Sequence, residues 1–195
     1  ANEDVGYPTL IPLPQNRTAV AVNLGGNSGC AILDNGSGMC WGLNDQGQLG
    51  DGTLTDRNVP TPLTVIPSNR TLAALAVGVD NSCGLLDNGS VYCWGNNSFG
   101  QFGDGTSSNS SIVATSGSYT SLPPGRTAIS IDMGKEHACA ILDDSSAVCW
   151  GNNSYGQLGD NTTNYSHSPI AVNGNHSFQA ISTGYFHTCG IITNG

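Results

Sequence analysis

The sequence predicts an all-β chain assembled from propeller blades of about 50 residues each, and three observations carry that expectation. A 24-residue stretch occurs three times: Cys30 to Thr53 reads CAILDNGSGMCWGLNDQGQLGDGT, Cys83 to Thr106 reads CGLLDNGSVYCWGNNSFGQFGDGT, and Cys139 to Thr162 reads CAILDDSSAVCWGNNSYGQLGDNT. A fourth copy opens at Cys189 as CGIITNG, so the leading cysteines stand 53, 56 and 50 residues apart. Six of the seven cysteines form pairs with nine residues between them. Finally, no 3.6-residue apolar period is sustained for ten residues anywhere in the chain, so helices are not expected.

In chain order, Ala1 to Gly6 reads as a loose acidic tail, and the chain enters its first unit at Pro8. A Leu/Ile-Pro segment precedes each copy: Leu13 to Ala19, Ile66 to Leu72 and Leu122 to Ala128. Each contains an arginine (Arg17, Arg70, Arg126) 13 residues before the cysteine, and His176 stands there in the fourth copy. Short strand patterns rich in small and β-branched residues follow, over Ala19 to Gly25, Leu72 to Gly78, Ala128 to Gly134 and Phe178 to Gly184; these suit a crowded inner strand. The cysteine hairpin adds two strands, and the segment after GQLGD supplies a fourth, outer one. In the second copy that segment is Ser107 to Ser121, a surface loop with one edge strand. The repeat cores are therefore 18–53, 71–106, 127–162 and an incomplete 177–195, in a single repeat region spanning 1–195. One such unit cannot bury its own apolar face and must stack on its neighbours.

The spacing of the paired cysteines fits a hairpin. With Asp87-Asn88-Gly89 as a three-residue loop whose glycine is left-handed, Leu85 faces Val91, Gly84 faces Tyr92 and Cys83 faces Cys93. The same count sets Cys30 opposite Cys40 and Cys139 opposite Cys149, the last around Asp143-Asp144-Ser145, where serine is the poorer left-handed residue. Opposed residues are within disulfide reach, and each closed loop contributes about 2.5–3 kcal/mol on a chain-entropy estimate. Three such pairs imply an oxidising compartment, extracellular or at the cell surface. Cys189 has no partner ten residues on, so either a longer chain or another chain is expected to supply one.

Composition excludes several functions. Net charge is −9 with only Arg17, Arg57, Arg70, Arg126 and Lys135 as basic residues, too few for a nucleic-acid footprint. No apolar run approaches the ~20 residues of a membrane span. No motif brings together nucleophile, base and orienting group, and no cofactor or metal is expected. Asp51, Asp104 and Asp160 read as turn-bonding residues, not calcium ligands. His137 and His187 read as hydrogen-bonding groups between strands, and Trp41, Trp94 and Trp150 as packing between blades. Tyr155 and Phe99 are the better candidates for an exposed aromatic contact, with core packing as the default reading.

The frame G-x-x-H-[TA]-C-[AG]-I, a hairpin, then C-W-G-x-N-x-x-G-Q-[LF]-G-D resembles the regulator of chromosome condensation repeat family, with His137, His187, the three tryptophans, Gln48, Gln101 and Gln157 at its signature places. The resemblance covers nearly the whole chain and implies blades of a seven-bladed β-propeller. The paired cysteines look like an extracellular branch of the family. Nucleotide exchange and chromatin binding, the founding member's work, fit an acidic chain poorly. The tryptophans that a photoreceptor branch uses before the histidine are replaced here by Gly134-Lys135-Glu136 and Gly184-Tyr185-Phe186.

N-x-S/T occurs at Asn16, Asn35, Asn69, Asn88, Asn96, Asn109, Asn152, Asn161, Asn164 and Asn175, ten sites against about four by chance from 20 asparagines and 37 serines plus threonines. Several recur in phase on turns, where N-linked glycans are carried without disturbing a core. The expected function is a non-enzymatic, secreted, disulfide-stapled and N-glycosylated β-propeller acting as a structural building block of an extracellular assembly or filament, joined to other copies of itself or to the rest of a longer chain. The alternative is an extracellular module that binds a protein or glycan.

Overall fold

A computed structural model of the chain describes residues 10–107 and 117–193; the expected tail at Ala1 to Gly6, the sequon at Asn109 and most of the Ser107 to Ser121 loop lie outside them. Fourteen strands form four antiparallel sheets, and no helix occurs among the described residues. The first blade holds β1 (Ala19–Gly25), β2 (Ser28–Leu33), β3 (Gly38–Gly42) and β4 (Arg57–Pro62) in that spatial order. The second holds β5 (Leu72–Val77), β6 (Asn81–Leu86), β7 (Val91–Gly95) and the two-residue β8 (Ser118–Tyr119). The third holds β9 (Ala128–Met133), β10 (His137–Leu142), β11 (Ala147–Gly151) and β12 (Ser166–Ala171). Among the described residues the fourth is represented by β13 (Phe178–Thr183) and β14 (Thr188–Ile192). The chain is thus all-β, in four-stranded propeller blades. The outer strand is the least regular: β4 carries Pro60 and Pro62, which cannot donate to a ladder and belong on an edge.

The inner strands β1, β5, β9 and β13 pack against one another in succession. Each ends at a glycine or just before one, because the backbones close to contact there. A methyl group on Gly25, Gly78 or Gly134 would run into the carbonyl of the following blade's Gly78, Gly134 or Gly184. Each inner strand also carries a bulge at its start, between Ala19 and Ala21, Leu72 and Ala74, and Phe178 and Ala180, with the matching irregularity in blade three at Ile141/Leu142. The core lies between blades. Cys30, Ile32, Cys40 and Leu49 of the first meet Leu72, Leu75, Val77 and Trp94 of the second, and the second meets the third through Leu85, Cys93, Phe102, Ile131, Met133 and Trp150.

The hairpins take the register that the cysteine spacing predicts: Cys30 faces Cys40, Cys83 faces Cys93 and Cys139 faces Cys149. Each pair is a disulfide, with Cα atoms 4.1, 4.0 and 4.0 Å apart, and all six cysteines are fully buried. At the turns, Gly36, Gly89 and Ser145 take φ of 77°, 76° and 67°. Serine there holds a left-handed conformation that its Cβ disfavours. Ser145→Gly is therefore expected to stabilise the chain by about 1 kcal/mol, read as a rise in midpoint on thermal unfolding; an unchanged or lower midpoint would contradict this account of the turn.

The recurring arginines answer the turns. Arg17 pairs with Asp34 at 3.5 Å, Arg70 with Asp87 at 3.6 Å, and Arg126 with Asp143 and Asp144 at 3.7 and 2.9 Å. In the fourth copy the arginine is His176 and the turn aspartate is Thr193, so this pair is replaced on both sides at once.

Candidate functional site

The loop after each third strand is closed by side chains of the C-W-G-x-N-x-x-G-Q frame. Asn44, Asn97 and Asn153, all buried, are its hubs. Asn44 Oδ1 accepts from Leu49 N at 2.9 Å while its Nδ2 donates to Asp51 Oδ1 and to the Thr53 and Thr55 carbonyls. Asn97 and Asn153 repeat this with Phe102 N and Leu158 N. Gln48, Gln101 and Gln157 accept from the backbone N–H of Gln46, Phe99 and Tyr155 at 2.9, 2.8 and 2.9 Å. The aspartates bond turns as expected: Asp51 Oδ1 accepts from Thr53 N and Oγ1, and its Oδ2 pairs with Arg57 Nε at 2.6 Å. Burial works against the charge on Asp51, but the bonds from Thr53 and Arg57 outweigh it and hold its carboxyl below the ordinary range.

These loops also join the blades. Trp94 Nε1 donates to the Gln48 carbonyl at 3.0 Å and Trp150 Nε1 to the Gln101 carbonyl at 2.7 Å, each reaching the preceding blade. Ser82 Oγ donates to the Gln48 carbonyl as well, and Thr188 Oγ1 to that of Gln157. Both tryptophans are fully buried, which removes them as stacking surfaces for a sugar. Trp41, in the first blade, is partly exposed.

His137 has the inter-strand role expected of it: its Nε2 meets Thr188 Oγ1 of the next blade at 2.9 Å. Because the Thr188 hydroxyl proton goes to the Gln157 carbonyl, the imidazole is the donor, through Nε2–H. Burial, opposed in part by Asp132 and assisted by His187, pushes its pKa down to about 4 from the ordinary 6.5. An unfolded chain therefore takes up this proton at higher pH than the folded one. The stabilisation is complete above pH 6.5 and is lost as pH falls from 6.5 toward 4, by on the order of 3 kcal/mol. His137→Asn, which places there the residue that Asn81 already provides in the second blade, is expected to flatten that part of the stability–pH curve; an unaltered curve by denaturant titration at pH 7 and pH 5 would refute it.

Antiparallel order gives the stack two rims. The hairpin rim carries the turns at Asp34, Asp87 and Asp143; the loop rim carries the Asn/Gln loops and the turns between first and second strands. Asn16, Asn35, Asn69, Asn88 and Asn175 are exposed on the hairpin rim, and Asn161 and Asn164 are exposed on the loop rim. Asn96 is half-buried. Asn152 differs: it is 5% exposed, and the amide nitrogen a glycan would need donates to Glu136 Oε2 at 2.7 Å.

All five basic residues are engaged within the chain, since Arg57 pairs with Asp51 and Lys135 with Glu136 at 2.8 Å. The loop rim is left acidic. Asp80 there is raised above its ordinary value by burial first and then by Asp45, with Lys135 opposing and Glu136 adding to the rise; the three carboxylates belong to three blades. Tyr155 is exposed, against the core packing expected of it by default, while Phe99 is half-buried with its ring 5.8 Å from Tyr165. The Phe186 ring lies 5.1 Å from that of Tyr155, Tyr185 packs on Phe186 and Lys135 lies over Tyr185; the sequence shows these three only as stand-ins for tryptophan places, not as a cluster. Among the described residues no group of three or more His, Cys, Asp or Glu is arranged to hold a metal ion.

The two flanks of the stack are apolar. Val22 and Leu24 on β1 are exposed at the register positions where Leu75 and Val77 are buried on β5. At the opposite flank a cleft of about 230 Å³ is lined by Cys149, Leu158, Val172, Phe178, Phe186 and Thr188.

Comparison with known proteins bears on this architecture. The regulator of chromosome condensation (RCC1) repeat matches residues 39–85, 88–141 and 148–191, and a second form of that repeat matches 73–101 and 128–157. Each matched unit of the first form begins in one blade and ends in the next. The chain is 27% identical over 186 residues to the ultraviolet-B receptor UVR8 of Arabidopsis thaliana, covering 92% of this chain and 40% of the receptor. Its fold matches yeast RCC1 (Prp20), solved bound to Kap60, with a TM-score of 0.79 at 21% identity over 95% of this chain and 44% of that one. It also matches the CRINKLY WD40 ectodomain of the Arabidopsis thaliana receptor kinase ACR4, with a TM-score of 0.56 at 22% identity over 92% and 47%. The chain spans less than half the length of each.

Proposed function

The chain belongs to the regulator of chromosome condensation (RCC1) repeat family, and from that premise we propose that it works outside the cell as a non-enzymatic, N-glycosylated propeller building block, joined through its blade flanks to further blades. The observation that carries the reading is the uniformity of the stack: three successive blades hold the same buried disulfide. Disulfides of this kind belong to oxidising compartments, and the match to a receptor-kinase ectodomain points the same way. Exposed apolar residues on a sheet flank call for cover, and a further blade would bury Val22 and Leu24 as the first blade buries Leu75 and Val77 of β5. Glycans on the exposed sequons of both rims would leave those flanks clear.

The test is the mass of natural material after enzymatic removal of N-glycans, with and without reductant, joined to sedimentation. A reduced chain near 20 kDa that sediments as multiples supports assembly. A monomer of about 40 kDa or more, the size of a full ring of such blades, would place the further blades in the same chain and overturn assembly from separate copies. Asparagine-to-aspartate conversion on glycan release should appear at Asn16, Asn35, Asn69, Asn88 and Asn175 and be absent at Asn152. A second reading, recognition of a partner by the loop rim, is favoured by the exposed aromatic cluster there.

A further inference from the structure

The loop rim carries an exposed aromatic cluster that the blade interior does not use. Tyr155, on the loop after β11, is 72% exposed, and Tyr185 and Phe186, on the turn between β13 and β14, are 53% and 36% exposed. Their rings touch across two blades, with centroids 5.1 Å apart for Tyr155 and Phe186 and 4.6 Å for Tyr185 and Phe186. One cation already sits on them: Lys135 Nζ lies 5.0 Å from the Tyr185 ring centroid and 5.5 Å from that of Phe186. It is anchored by Glu136 at 2.8 Å, whose other oxygen accepts from the buried Asn152 amide at 2.7 Å.

We infer that this cluster, with the carboxylates beside it, is a docking surface for a cationic segment of a partner protein, whose arginine or lysine side chains stack on Tyr155 and Tyr185. Charge complementarity selects this occupant. The chain carries a net −9, and every basic residue it has is already paired internally. Asp45 and Asp80 stand on the same rim with Glu136, which Lys135 neutralises in part, so the excess of carboxylates disfavours an anionic partner and leaves a neutral sugar with stacking alone. Aromatic faces attract ammonium and guanidinium groups through their quadrupole, and the seat Lys135 takes demonstrates that geometry. This rests on the rim-recognition reading and goes beyond it by naming the partner's chemistry.

The test is fluorescence anisotropy of a labelled hexa-arginine peptide titrated with the folded, disulfide-bonded protein at low salt, with hexaglutamate and chitotetraose as comparison ligands. Hexa-arginine is expected to bind, with affinity falling about fivefold in Tyr155→Leu and again in Tyr185→Leu; both changes keep side-chain bulk and remove the ring. Lys135→Gln, which vacates the seat, is expected to raise affinity about threefold, whereas Arg126→Gln, which removes the same charge from the hairpin rim, leaves it unchanged. Hexa-arginine binding indifferent to both tyrosines would overturn the inference, as would ring-dependent binding of chitotetraose alone. Neither result bears on assembly, which sedimentation reads separately.

Discussion

Replacing Trp150 by alanine is expected to lower the unfolding free energy by about 3–5 kcal/mol. The side chain is fully buried and belongs to the core between the second and third blades, and its ring lies so close to Gly103 that a Cβ there would stand 2.9 Å from it. Trp150→Phe separates packing from hydrogen bonding: most of the apolar area stays, but the buried Gln101 carbonyl loses its donor, at about 1–2 kcal/mol. Trp94→Phe is expected to cost less, because the Gln48 carbonyl keeps a second donor in Ser82 Oγ at 2.9 Å. The residue corresponding to Ser82 in the third blade is Ala138, which has no hydroxyl to offer. Denaturant unfolding of the three variants checks this, and equal costs for the two phenylalanine variants would show that the carbonyl is satisfied some other way.

Removal of a single cystine should have the next largest effect. Cys83→Ala with Cys93→Ala is expected to cost about 2.5–3 kcal/mol by releasing a short loop in the unfolded chain, before any loss from packing of two buried sulfurs. Burial also dictates kinetics. All six bonded cysteines are closed to solvent and Cys189 is exposed, so a thiol reagent should find one reactive cysteine in the native protein, and all seven only after unfolding and reduction. Reduction of the three cystines should then proceed at the rate of blade opening and not at that of the exposed thiol. Rapid reduction under native conditions would mean that the hairpins are open in solution.

What could be read from the sequence was whatever is local and repeated. The hairpin register followed from two cysteines and a three-residue turn, since counting outward from Asp87-Asn88-Gly89 leaves one arrangement that opposes Cys83 and Cys93. The inner strands were legible within one residue because β-branched and small residues run up to a glycine. Interactions with a backbone partner far along the chain were not legible. Nothing in the letters around Trp94 indicates that its indole N–H reaches the Gln48 carbonyl, 46 residues earlier. Asn152 satisfies N-x-S as well as Asn88 does; only the approach of Glu136, 16 residues away, takes its amide out of reach. Tyr185 and Phe186 could be noticed as substitutions for tryptophans, but their meeting with Tyr155 depends on the angle between adjacent blades. The Arg17–Asp34 type of pair was half visible: the arginine recurs at a fixed distance, and the turn aspartate recurs too, yet their contact needed the strand between them to be placed.

The buried cystine at the base of each hairpin has a mechanical consequence. If the chain is pulled along its length, as a component anchored to its surroundings would be, a blade that yields cannot pay out the hairpin tip, because the load passes through the sulfur bridge instead of around the turn. With the bonded cysteines 10 residues apart in sequence, each rupture event releases about 30 Å less slack than the same blade reduced. Under such a load each blade would yield in a shorter step and keep its ten-residue loop covalently closed.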